Sequence, residues 1–282
     1  MLAAHRAILA IALRSRPTPS GWEEWSMDAD LLHLLLITFF AAVLADVSMV
    51  FGVIPFFFLK NLSRRASATL SALAAGMMAV ASLVQLTGEG LRRAPGLQAW
   101  EVAAGFGLGA LFYAAVAKWV RSNQSIDLLQ LRKSGGAKSL LIVAAMTAHS
   151  LPEGVAIGVS FGSGEAGLGI AVASALAVHN IPEAIAITLA LRAQGVSTWQ
   201  CMGWAVFTSL PQPIAAPFAA WLVWLFEPLL PFGLGFAAGA MVFLVIDDLL
   251  PDALEEIDPT RTATAFTVGA IAMMLLGRLV GM

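Results

Sequence analysis

Residues 149–154 read HSLPEG, and residues 179–184 read HNIPEA. Both stretches lie inside long runs of Ala, Val, Ile, Leu and Met, surroundings that disfavour charge. In each copy the histidine and glutamate stand four residues apart, which on a helix puts both side chains on one face, about 6 Å apart along the axis. The stretch GSGEAG, residues 162–167, joins the two and predicts a tight reversal, so the helices run antiparallel. A turn centred near residue 166 sets Glu153 level with His179 and His149 level with Glu183. Pro152 and Pro182 lack the N–H that would bond the carbonyls of Ala148 and Val178, so a bend is expected in each helix.

The chain around these motifs reads as a membrane protein. Of its 282 residues 59% are hydrophobic and only 12% charged, with a mean hydropathy of +0.83; soluble domains carry about 25% charged residues. Eight apolar stretches are long enough to cross a bilayer as helices. They are Leu31–Leu59 (span 1), Ala66–Gly88 (span 2), Leu97–Val120 (span 3), Ser139–Phe161 (span 4), Ala166–Leu191 (span 5), Thr198–Phe226 (span 6), Leu229–Leu250 (span 7) and Ala263–Val280 (span 8). Span 1 is expected to tilt or to break near Pro55, and the LPQP of residues 210–213 to kink span 6. Residues 1–30 read as a short amphipathic leader followed by loop from Pro17 to Asp30, and residues 31–282 as one transport domain. The breaks after spans 1, 3, 5 and 7 hold ten of the sixteen Lys and Arg residues, which places them in the cytoplasm and both termini outside. A net charge of −2 gives no case for a nucleic-acid partner. The single cysteine, Cys201, excludes a disulfide or a thiolate cluster within one chain.

A charged side chain at the bilayer centre costs about 2.5–3.5 kcal/mol even on the lenient insertion scale, so each needs a reason. His149, Glu153, His179, Asn180, Glu183, Asp46, Asp247 and Asp248 all fall inside spans. Imidazole and carboxylate together suit Zn²⁺ and other divalent first-row metals, and two facing pairs supply four ligands. The DLLPD of residues 248–252 repeats the design: a polar residue, Pro three on, an acid four on. Two readings stand beside the metal site. One is an interhelical hydrogen-bond network holding the bundle together. The other is an intramembrane zinc-dependent hydrolase with Glu153 or Glu183 as base, although the chain contains no H-E-x-x-H. Glycines at four-residue spacing in GFGLGA (residues 105–110) and GFAAGA (residues 235–240) read as close helix contacts.

HSLPEGVAIGVSFG in span 4, HNIPEAIAITLALR in span 5, GFAAGAMVFLVIDDLLPDA in span 7 and AAGMMAVAS in span 2 resemble the ZIP family of divalent-metal (zinc/iron) transporters, bacterial type. The resemblance implies an all-α polytopic membrane protein of eight transmembrane helices. Spans 1–3 and 6–8 form an inverted pseudo-repeat around spans 4 and 5, a 3+2+3 arrangement. It implies a transporter, not an enzyme, that moves Zn²⁺, or Fe²⁺, Mn²⁺, Co²⁺ or Cd²⁺, into the cytoplasm across the cell's inner (plasma) membrane. The implied metal site is Met78, His149, Glu153, His179, Asn180, Glu183 and Asp248, and family precedent adds a homodimer. Two positions depart from the usual pattern: Ser150 stands where Asn is common, and Asp248 where Glu is usual. The break after span 3 carries no histidine from Arg121 to Lys138, so metal sensing by that loop is not expected.

Overall fold

A computed structural model describes residues 23–58, 63–94, 99–131, 136–193 and 195–279, and among them the chain is helical with no strand. Span 1 comprises α1 (Glu23–Val47) and α2 (Met49–Val53), closed by a 3-10 turn over Ile54–Phe57. Span 2 comprises α3 (Arg64–Val80), a π-helical turn (Ala81–Leu86) and α4 (Thr87–Arg93). Spans 3, 4 and 5 lie in α5 (Ala99–Leu131), α6 (Gly136–Gly162) and α7 (Ala166–Ala193). Span 6 comprises α8 (Thr198–Ser209) and α9 (Pro211–Leu225), and span 7 comprises α10 (Leu229–Leu244), a second π-helical turn (Val245–Leu249) and α11 (Leu250–Glu256). Span 8 is α12 (Pro259–Leu279). Seven of these spans are long and apolar enough among the described residues to cross a membrane. Span 4 completes the eight on the 27-residue α6, part of whose side chains lie outside the described set.

Packing follows the expected pseudo-repeat. Span 3 lies against span 7 as span 8 lies against span 2, and span 1 meets span 5 as span 6 meets span 4. These pairs exchange when spans 1, 2 and 3 are swapped for 6, 7 and 8 and span 4 for 5, the inverted relationship that gives carriers two-sided access to one site. Helix irregularities obey the same exchange. Spans 1 and 6 are broken, at Ser48 and at Leu210, and spans 2 and 7 each carry a π-helical turn. Reciprocal glycines set the closest approaches. A Cβ at Gly109 would overlap the Phe236 carbonyl, and one at Gly239 the Phe106 carbonyl; Gly76 with Phe266 and Gly269 with Leu73 repeat this between spans 2 and 8. Leu44, Phe58, Leu111, Ile214 and Leu279 point outward, and Trp100, Trp119 and Trp199 are exposed near span ends, as in an interfacial aromatic belt.

Two expectations, the loop before span 1 and the break after span 3, are corrected. The stretch Pro17–Asp30, expected as loop, is already helical from Glu23, where two acids in the first turn favour a helix N-terminus and no Gly or Pro follows. The expected leader, residues 1–16, lies outside the described residues. Span 1 leaves the α-helical ladder at Ser48, whose hydroxyl lies 2.6 Å from the Ala45 carbonyl and 2.7 Å from that of Ala177, and again near Pro55 as expected, where the 3-10 turn Ile54–Phe57 replaces the α-helix. The break after span 3 is largely helical: α5 runs on to Leu131 and α6 begins at Gly136. Pro152 and Pro182, where a bend was expected, each sit inside a continuous helix.

Candidate metal centre

Glu153 of the first motif faces His179 of the second, as the register predicts. Gly164, with φ of +79°, makes the reversal between α6 and α7 and brings the two helices back side by side. Span 1 and span 6 then clamp the motifs from either flank. Gly52 lies against the Ile181 carbonyl and Ala184, and Gly154, beside Glu153, lies against the backbone of Gln212. Small residues at these two points let the helices approach until the motif side chains have no path except inward.

Glu153 is 1% exposed, His179 0% and Glu183 5%. His179 Nε2 lies 3.0 Å from Glu153 Oε1 and 3.7 Å from Glu183 Oε2. One ligand atom from each of the three falls within 4.8 Å of the others, a spacing that fits a shared divalent ion. Two carboxylates buried together repel, and water to solvate them is scarce. A cation is the physical remedy, and orphaned acceptors wait for one: Glu183 Oε2 and Asn180 Oδ1 are buried and accept no hydrogen bond. Asn180 is held through its other end, Nδ2 donating to the Ala45 carbonyl at 2.9 Å.

The structure gives the remaining expected residues other partners. His149, 3% exposed, stands outside it: its Nδ1 is 3.2 Å from the Tyr113 hydroxyl, which donates to Asp248 Oδ2 at 3.0 Å. Asp248 lies on the π-helical turn of span 7, where the widened ladder swings its side chain toward span 3. Met78 is buried just before the matching turn of span 2 and shares an apolar cluster with Tyr113, Met241 and Leu244. Four residues have no place in the expected set. Tyr113 joins His149 to Asp248. Asp46, 3% exposed, is within hydrogen-bond reach of Ser209 and close enough to Glu153 to feel its charge. Ser209 in turn touches Met49 Sδ, and the fully buried Gln212 has neither amide atom bonded. Each had a signal in the sequence, a lone polar group in an apolar span, but none had a partner visible there. Glu89, near the C-terminal end of span 2, is buried and held by Arg92 and Arg93, and Arg93 reaches on to Glu165 beyond span 4.

Comparison with known proteins gives the same answer as the geometry. The family pattern described as ZIP zinc transporter matches residues 121–279. The chain is 33% identical over 253 residues to the zinc transporter GufA of Myxococcus xanthus, covering 84% of this chain and 98% of that protein. It is 41% identical over 156 residues to the zinc transporter ZIP11 of Homo sapiens, covering 53% of this chain and 46% of that one. A relative from Arabidopsis thaliana is 38% identical over 229 residues, 81% of this chain and 36% of its own length. The chain thus spans between a third and a half of the last two and nearly all of the first. With paired half-sites on antiparallel spans inside an inverted repeat, and with these matches, the chain belongs to the ZIP zinc transporter family.

Proposed function

We propose that this chain is a transporter of divalent transition-metal ions, Zn²⁺ first among them, into the cytoplasm. The carrying observation is the convergence of Glu153, His179 and Glu183 from two antiparallel spans into a buried cluster of two carboxylates and one imidazole. Oxygen and nitrogen ligands in that number favour Zn²⁺ and admit Fe²⁺, Mn²⁺, Co²⁺ and Cd²⁺. His149, Asn180, Met78 and Asp248 serve as further ligands during entry or release. Weak donors such as Asn180 and Met78 keep binding loose enough for the ion to leave. The pseudo-repeat supplies the movement, one half of the bundle rocking against the other around the fixed site. Loop charge orients both termini outside, and the family resemblance adds the inner (plasma) membrane and a homodimer. Transport is also the activity named for the similar GufA and ZIP11 proteins; no observation favours the hydrolase reading.

The test is flux of Zn²⁺ into proteoliposomes holding a metal-sensitive dye. Wild-type protein should give saturable uptake, and Glu153→Ala and Glu183→Ala should abolish it while eluting as folded protein. Normal uptake by both variants would refute the assignment.

A further inference from the structure

We infer that Tyr113 is a positioning residue that fixes which nitrogen of His149 carries the proton and so prepares the other, Nε2, as a metal ligand. Only the last step rests on the transport reading; the proton placement is a property of the metal-free protein.

Three side chains from three spans make a chain of two hydrogen bonds. The Tyr113 hydroxyl donates to Asp248 Oδ2 at 3.0 Å and stands 3.2 Å from His149 Nδ1. Tyr113 is 2% exposed and is the one tyrosine in the sequence. Its ring meets the imidazole edge-on, centroids 5.9 Å apart at 87°, which holds the hydroxyl in the imidazole's reach. A phenol has a single proton to give, and an ionised carboxylate accepts only. Asp248 lies on a partly exposed turn of span 7 and takes that proton's hydrogen bond. The phenol oxygen is then left as an acceptor toward His149, so Nδ1 must carry the imidazole N–H. A neutral imidazole has one N–H, and the lone pair is therefore on Nε2, the state that ligates metal. A carboxylate acting on a metal-binding histidine through a hydrogen bond orients the ring and sets its tautomer; here a phenol extends the connection by one link.

His179 is prepared the opposite way. Its Nε2 faces Glu153 and Glu183, so its proton sits on the nitrogen aimed at the carboxylates, where an arriving ion takes its place. The two motifs match in sequence and differ in protonation, and the difference comes from span 3, outside both.

Histidine-selective ¹⁵N-imidazole NMR on metal-free protein reads this directly, because the chain has only four histidines. The His149 signal is the one lost in His149→Gln. It should show the Nδ1–H tautomer in wild type and the Nε2–H tautomer in Tyr113→Phe. Asp248→Ala should give the same reversal with the phenol still in place, because the hydroxyl then turns its proton to Nδ1. An Nε2–H tautomer in wild type, or an Nδ1–H tautomer kept in both variants, overturns the inference. In liposomes, Tyr113→Phe should raise KM for Zn²⁺ about tenfold to a hundredfold, the usual cost of removing a group that orients a metal ligand, with kcat changed less. A wild type that carries no metal defeats the transport reading and leaves the tautomer result to decide the role of Tyr113. A wild type that transports with His149 in the Nε2–H form defeats the role of Tyr113 alone.

Discussion

His179 Nε2 and Glu153 Oε1 lie 3.0 Å apart across the span 4–span 5 interface, each essentially sealed from solvent. On the proposed transport reading, this pair forms part of the ion's binding place. Removing either partner therefore removes binding, not folding alone. His179→Gln and Glu153→Gln should each lower Zn²⁺ affinity at least about tenfold, since each deletes one ligand of a minimal set. The double variant should be little worse than the single ones, because both act on one ion. Equilibrium dialysis of detergent-solubilised protein checks this, and additive losses would count against a shared ion.

Acid should weaken uptake. The proposed ligands are imidazole and carboxylate groups, which bind metal in their deprotonated forms, so protons compete with the ion. The sign follows: lowering pH adds protons to the metal-free site and raises the apparent KM, by up to about tenfold per pH unit for each proton displaced. Initial rates of Zn²⁺ flux at pH 7.5, 6.5 and 5.5, with the transmembrane gradient clamped, measure it. A KM that holds constant over this range would place the binding groups elsewhere.

Close packing between spans 3 and 7 should be intolerant of added volume. Gly239→Leu drives a side chain into the Phe106 backbone, which cannot give way as a flexible side chain would. Overpacking of this kind costs about 1–3 kcal/mol or more, so the variant should unfold at a clearly lower temperature in detergent. Gly107→Ala on the same helix meets nothing within 4 Å and should be neutral or mildly stabilising.

Arg93 ties the C-terminal end of span 2 to the loop after span 4, holding buried Glu89 on one side and exposed Glu165 on the other. The two halves should not weigh equally. Glu165 is 64% exposed in its side chain, and such surface pairs contribute about 1 kcal/mol or less. Glu89→Ala strands a half-buried guanidinium and should lower thermal stability more than Glu165→Ala does. Equal shifts in a melting experiment would contradict this ordering.

Membrane class, span count and the central pairing were legible in the sequence. Length and apolarity decide what crosses a bilayer, and two i,i+4 pairs joined by a short loop leave little freedom of register. Glu153 meets His179 for that reason. The helix breaks were legible where proline marks them, at Leu210–Pro213 in span 6 and at the 3-10 turn holding Pro55 in span 1, whereas the break at Ser48 goes with its hydroxyl lying against the carbonyls of Ala45 and Ala177. The second of those carbonyls lies 129 residues away. The π-helical turn that carries Asp248 was invisible for the same reason, since no residue type within Val245–Leu249 demands it.

The sequence by itself determined that buried carboxylates and imidazoles must meet in pairs, because spacing within a helix and polarity within a bilayer are local properties. Only tertiary structure decided which of them form one cluster. His149 and His179 occupy equal positions in equal motifs, yet one faces Tyr113 and the other faces Glu153 and Glu183. What separates them is the neighbour each helix meets, and neighbours are set by packing among spans far apart in the chain.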